Sequence, residues 1–313
     1  MKIVMPGGSG HVGAALARHF AAGGHEVVVM SRTGRTVPGA RGEVWDASGE
    51  GPWWAHLDGC DAVVNLAGRS VGCRYTEANL AEMMDSRVDS TRAVGEAIAA
   101  ARRPPRVWLQ MSTATVYAHR FDAANDEATG VIGGGELGVP RYWDRSIDIA
   151  VAWEAALAEA RTPGTRKVAL RSAMVMSPDR GSVFDVLSRL ARLGLGGPVA
   201  GGRQYVSWIH ERDFARAVEF LIDRQDLAGP VNLAAPNPLP QAAFARALRR
   251  AWRRPPGLPA TAWMAEIGAW AMRADTELLL KSRRVVPGRL TEAGFAFTHP
   301  HWPSAAADLV ARR

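Results

Sequence analysis

A chain of 313 residues is long enough for one large domain or for a core domain carrying a smaller lobe. With 47% hydrophobic and 22% charged residues its composition is that of a globular protein able to bury a full core. The net charge of +7 comes almost entirely from arginine, since Lys2, Lys167 and Lys281 are the only lysines. The densest basic cluster, Arg249-Arg250 with Arg253-Arg254, lacks interleaved aromatics, so nucleic acid is not an expected partner; the charge suits an anionic cofactor or substrate, or an arginine-favouring genome. Cys60 and Cys73 make neither a disulfide framework nor a metal-ligand spacing. No apolar run is long enough to span a bilayer and the first strand is expected from residue 2, so no membrane partner and a cytoplasmic location are expected.

The apolar run Lys2-Ile3-Val4-Met5 predicts a first strand, and Gly7-Gly8-Ser9-Gly10-His11-Val12-Gly13 follows it as G-x-x-G-x-x-G. Glycines there allow a sharp turn and close approach of a pyrophosphate, which the free N–H groups and positive dipole end of the next helix attract. Val12, Leu16 and Phe20 give that helix an apolar side, and Glu26 to Met30 forms a second strand. These features predict dinucleotide binding, with Gly7, Ser9, Gly10, His11, Val12 and Gly13 as cofactor residues.

Alternation of strand and helix continues through a short strand at 42–46, a buried strand within 61–68, a long helix at 76–102 and a strand at 106–111. Residues 119–142 are Gly-rich and irregular, read as either a flap over the cleft or a plain surface loop. A helix at 146–161 and a strand at 167–171 follow, then helices near 182–193, 213–225, 241–253 and 263–281 between Pro/Gly loops. The expected fold class is α/β: a doubly wound parallel Rossmann sheet from 1–170 plus 206–235, with a smaller, mainly helical substrate lobe from 171–205 plus 236–313.

Three segments, Asn65-Leu66-Ala67-Gly68, Ser86-Arg87-Val88-Asp89-Ser90-Thr91 and Ser112-Thr113-Ala114-Thr115-Val116-Tyr117, resemble the extended short-chain dehydrogenase/reductase superfamily, which includes nucleotide-sugar epimerases and dehydratases. Ser207-Trp208-Ile209-His210, Val231-Asn232-Leu233-Ala234-Ala235-Pro236 and the C-terminal Arg284 to Leu290 narrow the likeness to its atypical, epimerase-like subfamily with a small C-terminal domain. The resemblance implies that Asp46 contacts the adenine, a position an N-cap would also explain. It further implies that Ala67 and Gly68 pass close to the cofactor's middle, that Arg87 and Ser112 belong to the cofactor site, and that the segment ending in Val175 touches the nicotinamide amide. It implies dimerisation only weakly.

The second strand ends at Ser31-Arg32-Thr33 with no acid before Glu43. A guanidinium there can hold a 2′-phosphate, and Ser31 and Thr33 can donate to it, so NADP is expected over NAD; a solvated loop arginine is the competing explanation.

Superfamily chemistry uses a Tyr whose partner Lys lies four residues on and lowers the phenol's pKa. No tyrosine in this chain has such a lysine. Aligning the helix on Trp153-Glu154 places Ser146 at the Tyr position and Ala150 at the Lys position. Thr113 survives from the tetrad, and Tyr142 and Tyr117 are the candidate replacements. Trp208 and His210 are candidate substrate residues, with a structural role for His210 as the alternative. No metal is expected from His299 and His301, since no neighbouring carboxylate or cysteine completes a site. The expected function is an NADP-dependent epimerase-like oxidoreductase acting on a small organic carbonyl or alcohol. A non-catalytic NADP(H) sensor and a non-redox isomerase, cyclase or lyase are the alternatives.

Overall fold

The computed structural model describes residues 1–47, 49–271 and 275–313. The chain runs β1 (Lys2–Pro6), α1 (His11–Ala22), β2 (Glu26–Ser31), β3 (Arg41–Val44), α2 (Trp54–Leu57), β4 (Ala62–Asn65), α3 (Glu77–Ala100), β5 (Val107–Thr113), α4 (Tyr142–Glu159) and β6 (Arg166–Ser172). It continues through β7 (Met174–Met176), α5 (Val183–Arg192), β8 (Tyr205–Val206), β9 (Trp208–His210), α6 (Glu211–Asp223) and β10 (Gly229–Leu233). It closes with β11 (Leu239–Pro240), α7 (Gln241–Ala251), α8 (Ala262–Ala271), α9 (Glu277–Leu280), α10 (Gly288–Glu292) and α11 (Trp302–Ala311).

Seven strands form one parallel sheet in the order β10-β6-β5-β4-β1-β2-β3. Such a sheet is buried on both faces, which explains strands that are apolar throughout rather than alternating. Ile3 and Met5 pack with Leu16 and Phe20 of α1 and Phe214 and Leu221 of α6. Val4, between them, packs on the opposite face with Val94 and Ile98 of α3. The winding reverses between β1 and β4, and a parallel sheet opens its ligand crevice at that point, beyond the strand ends. The fold is the doubly wound Rossmann arrangement.

The expected strand at 42–46 is β3, ending at Val44. The expected helix at 146–161 begins earlier, at Tyr142, directly after Pro140, so Tyr142 belongs to α4 and not to a flap. The expected helix at 263–281 is divided into α8 and α9; its residues 272–274 lie outside the described residues. No described helix is long and apolar enough to cross a membrane.

The lobe has its own core of Phe184, Phe244, Leu248, Trp302, Ala305 and Leu309, joined by Met176 and Trp208 from the two-stranded β7–β9 ladder. Trp302 stacks on Phe244 at 4.0 Å and donates its indole N–H to the Phe244 carbonyl at 2.9 Å. Trp263 and Trp270 are outside this core, exposed on α8.

The placement of Trp208 and His210 as substrate residues is corrected here, and for His210 the structural alternative is the one observed. Trp208 is fully buried against Trp302, with ring centroids 5.0 Å apart. His210 is equally buried; its Nδ1 accepts from the Arg212 N–H and caps α6, and its Nε2 lies 3.0 Å from Asp308 Oδ2. Asp308 on α11 also supplies a carboxylate the sequence reading did not see: His210, His299 and Asp308 bring their polar atoms within 4.8 Å of one another. The two imidazoles stack at 3.9 Å, and burial holds His210 down to about 4 from its ordinary 6.5, aided by neighbouring His299 and opposed by Asp308.

Two predictions follow from this lobe. Trp302→Ala removes a stacked, hydrogen-bonded indole and lowers unfolding free energy by about 3–5 kcal/mol, read from the urea midpoint. Between pH 6.5 and 4 the unfolded chain protonates His210 while the folded chain refuses the proton. Stability therefore falls with pH across that window, by up to about 3 kcal/mol for this one group. His210→Gln flattens that part of the slope; an unchanged slope contradicts the assignment.

Candidate functional site

The β1–α1 turn is shaped by contacts that only glycine permits. Gly7 has φ of +72°, and a Cβ there would lie 2.4 Å from the Ala67 backbone. A Cβ on Gly13 would lie 2.0 Å from the Gly8 carbonyl oxygen. These approaches seat the turn against Ala67, whose N–H is fixed by the Asn65 side chain at 3.0 Å, while Asn65 itself is held by Gln110. Gly10 is the opposite case: a Cβ there would meet nothing within 4 Å. Gly10 is the N-cap of α1 without a side-chain cap, which leaves the first-turn N–H groups without an intrahelical partner. That is a cradle of the form a pyrophosphate fits.

A cavity of about 280 Å³ opens beside this turn at the carboxyl ends of the strands. His11 and Val12 line its near side; Arg87, Ser112, Thr113, Ser146, Ala150 and Val175 line its interior. The structure thus brings together six of the expected site residues, along with Ser146 and Ala150, one turn apart on α4. Apolar side chains dominate the rest of the wall, among them Val71, Met83, Met111, Ile149, Met174 and Leu278. Ser31, Arg32, Thr33 and Asp46 lie at the ends of β2 and β3; Ser31 is buried and its Oγ accepts from the Arg35 N–H, whereas Arg32, Thr33 and Asp46 are exposed.

Several side chains at the cavity are already engaged. Thr113 Oγ1 accepts from the Thr115 N–H at 3.1 Å, and Ser112 donates to Glu154 Oε1 at 2.6 Å. Arg87 gives its guanidinium hydrogens to the Met83 and Arg69 carbonyls and stacks 4.9 Å over Trp153; burial pulls its pKa down to about 10, which leaves it charged at neutral pH.

The expectation for Tyr117 is corrected. Its ring is buried, its hydroxyl donates to Asn232 Oδ1 at 2.9 Å and accepts from Arg171 at 3.0 Å, and it does not line the cavity. Arg171 in turn makes a two-pronged ion pair with Glu154 at 2.8 and 2.7 Å. This network ties β5, β6, β10 and α4 together. Tyr142 is likewise outside the cavity lining, its hydroxyl 3.1 Å from Thr276 Oγ1 and its ring edge-on to Tyr75 at 6.3 Å.

The sequence reading missed Tyr75, Glu277 and Arg283. Tyr75 and Arg283 line the cavity. Glu277 is completely buried behind it and accepts the Ser146 hydroxyl at 2.6 Å. Burial raises the Glu277 carboxyl above the usual range, against the pull of Arg283 and Lys281, and raises the Tyr75 phenol. A carboxylate and a lysine four residues apart around Leu278-Leu279-Leu280 was the available sequence signal, since such charges on an apolar helix are buried together or exposed together.

Comparison with known proteins agrees with this geometry. The NAD dependent epimerase/dehydratase family matches residues 3–234, and a domain of unknown function, DUF1731, matches residues 260–309. The epimerase family protein SDR39U1 of Bos taurus is 34% identical over 320 residues, covering 99% of this chain and all of the relative. Epimerase family protein ML0860 of Mycobacterium leprae is 35% identical, covering 95% of this chain and 92% of its own length. The crystal structure of human SDR39U1 (isoform 2) with NADPH superposes with a TM-score of 0.85 at 29% identity over the whole of both chains. A nucleoside-diphosphate sugar epimerase from Corynebacterium glutamicum superposes at 0.76 with 25% identity, over all of this chain and 59% of that one. The chain belongs to the NAD-dependent epimerase/dehydratase family.

Proposed function

We propose that this protein is an NADP-dependent oxidoreductase of the epimerase-like short-chain dehydrogenase/reductase group, acting on a small, largely apolar carbonyl compound or the matching alcohol. The observation that carries the reading is one continuous cavity joining the α1 N-terminus, at His11 and Val12, to the strand-end group Thr113 and Val175 and to Ser146 on α4. Gly7, Gly10 and Gly13 with the first turn of α1 would hold the pyrophosphate, Arg32 with Thr33 the 2′-phosphate, and Val175 the nicotinamide end. The bound dinucleotide supplies or accepts hydride. The residues around it exclude water with an apolar wall and place hydroxyls, from Thr113 and Ser146, where the reacting oxygen sits. NADPH in the human relative's structure supports the choice of phosphate-bearing cofactor. The apolar wall favours a small organic substrate over a second nucleotide.

Titrating tryptophan fluorescence with NADPH and with NADH tests the cofactor assignment. Arg32→Ala weakens NADPH binding about tenfold to a hundredfold, the worth of charged hydrogen bonds to one phosphate, and leaves NADH within about twofold. Equal weakening of both, or of neither, contradicts it.

A further inference from the structure

Ser146 occupies, on α4, the place where relatives of this fold are expected to carry a tyrosine, and Ala150 one turn later removes the expected lysine. Hydrogen-bonded to Ser146, and outside the cavity lining, stands a buried ionisable group that none of the assigned roles uses. Glu277 Oε2 accepts from Ser146 Oγ at 2.6 Å. Glu277 Oε1 has no hydrogen-bond donor among the described residues and lies 3.6 Å from Lys281 Nζ. Lys281 is itself fully buried and donates to the Thr115 carbonyl at 2.9 Å, beside the Thr113 turn. Arg283 donates to the Glu277 and Leu278 carbonyls at 2.9 and 3.1 Å and leaves its Nε without a partner.

A purely structural ion pair would be made at contact distance with its lone pairs satisfied, as Glu154 and Arg171 are. Glu277 instead spends one oxygen on a serine that reaches the cavity and keeps the other unsatisfied. Its surroundings are mixed: burial and Asp275 favour the carboxylic acid, while Arg283, Lys281 and the Ser146 hydroxyl favour the carboxylate, and burial is the largest of these influences. A buried carboxyl whose proton affinity is raised, hydrogen-bonded to a hydroxyl that reaches the cavity, has the placement of a proton donor to that hydroxyl.

We propose that Ser146 and Glu277 form the proton relay of this enzyme, replacing the missing Tyr/Lys pair, with Ser146 touching the reacting oxygen and Glu277 supplying the proton through it. The inference rests on the oxidoreductase reading above. In the reductive direction a bound dinucleotide would supply hydride, and with it the electron pair, to the carbonyl carbon. The C=O π pair would move to oxygen; with Glu277 protonated, the Ser146 hydroxyl would turn from Glu277 to that oxygen, its O–H bond would break to protonate it, and the Glu277 carboxylic O–H would reprotonate Ser146 Oγ. Glu277 is left as a carboxylate facing Lys281 and Arg283 and regains its proton from solvent before the next turnover. Alcohol oxidation runs the same steps backwards. Ser146 is the catalytic residue and Glu277 its positioning and proton-holding partner.

The test uses the full chain and its Ser146→Ala, Ser146→Thr, Glu277→Gln and Tyr75→Phe variants. The first readout needs no substrate: infrared difference spectroscopy at neutral pH follows the protonated-carboxyl stretch. The expected result is a band in the wild type that is absent in Glu277→Gln and displaced in Ser146→Ala. No difference between wild type and Glu277→Gln overturns the proposal. The second readout is NADPH oxidation with phenanthrenequinone and nitrobenzaldehyde as apolar probes. Ser146→Ala and Glu277→Gln are each expected to lower kcat about a hundredfold, the usual worth of general acid catalysis. The double variant loses no more, NADPH affinity is unchanged in both, and Ser146→Thr, which keeps the hydroxyl, rescues most of the activity lost in Ser146→Ala. The wild-type kcat falls as pH rises through the raised Glu277 pKa, and Glu277→Gln abolishes that limb. Variants within twofold of wild type, losses that add in the double variant, or a loss confined to Tyr75→Phe overturn the relay alone. A wild type that binds NADPH and consumes none with either probe overturns the oxidoreductase reading and the relay with it.

Discussion

The close approach of the β1–α1 turn to the end of β4 is the constraint on which the site depends. A Cβ on Gly7 would sit 2.4 Å from Ala67, and one on Gly13 would sit 2.0 Å from the Gly8 carbonyl. Both distances are far inside van der Waals contact, so no other residue is accommodated without moving backbone. With the turn seated, the N-terminal end of α1 at His11 and Val12 borders the cavity, where its positive dipole end attracts an anion. Arg87 and Trp153 then find their places because Gly68 leaves room: a Cβ there would crowd the Arg87 side chain at 3.2 Å.

Two carboxylates, Glu154 on α4 and the buried Glu277 bonded to Ser146 of that helix, have opposite characters. Glu154 faces a guanidinium that matches both its oxygens, and Ser112 adds a third donor, so its charge is balanced and its place is fixed. Through Arg171 it also immobilises Tyr117, which explains why that tyrosine, although at a strand end, contributes rigidity instead of chemistry. Glu277 has a single short bond to a serine and a lysine beyond hydrogen-bond reach. The first arrangement is a lock across β5, β6 and β10; the second leaves a proton's location adjustable.

The parts of the site that depend on neighbouring residues were legible in the sequence. The glycine spacing, the apolar strands and the position of Ser146 relative to Trp153-Glu154 are local patterns with direct physical meaning. Tyr142 was placed in a loop because Gly133 to Gly138 dominate that stretch, although Pro140 marks a helix start. Trp208 and His210 are candidate substrate contacts only through the resemblance of their segment to a superfamily strand-end motif. Their burial is imposed by α11, about a hundred residues later, whose Trp302 and Asp308 cover them. Glu277 escaped for the same reason, since it meets Ser146 across 131 residues and no periodicity encodes that meeting.

A crystal structure of the protein with NADPH bound tests the account most directly. It predicts the pyrophosphate against Gly10 and the first turn of α1, the 2′-phosphate on Arg32, and the nicotinamide ring inside the cavity near Thr113 and Val175, with Ser146 Oγ facing the space over nicotinamide C4. A nicotinamide lying outside that cavity, or one separated from Ser146 by other side chains, would contradict it.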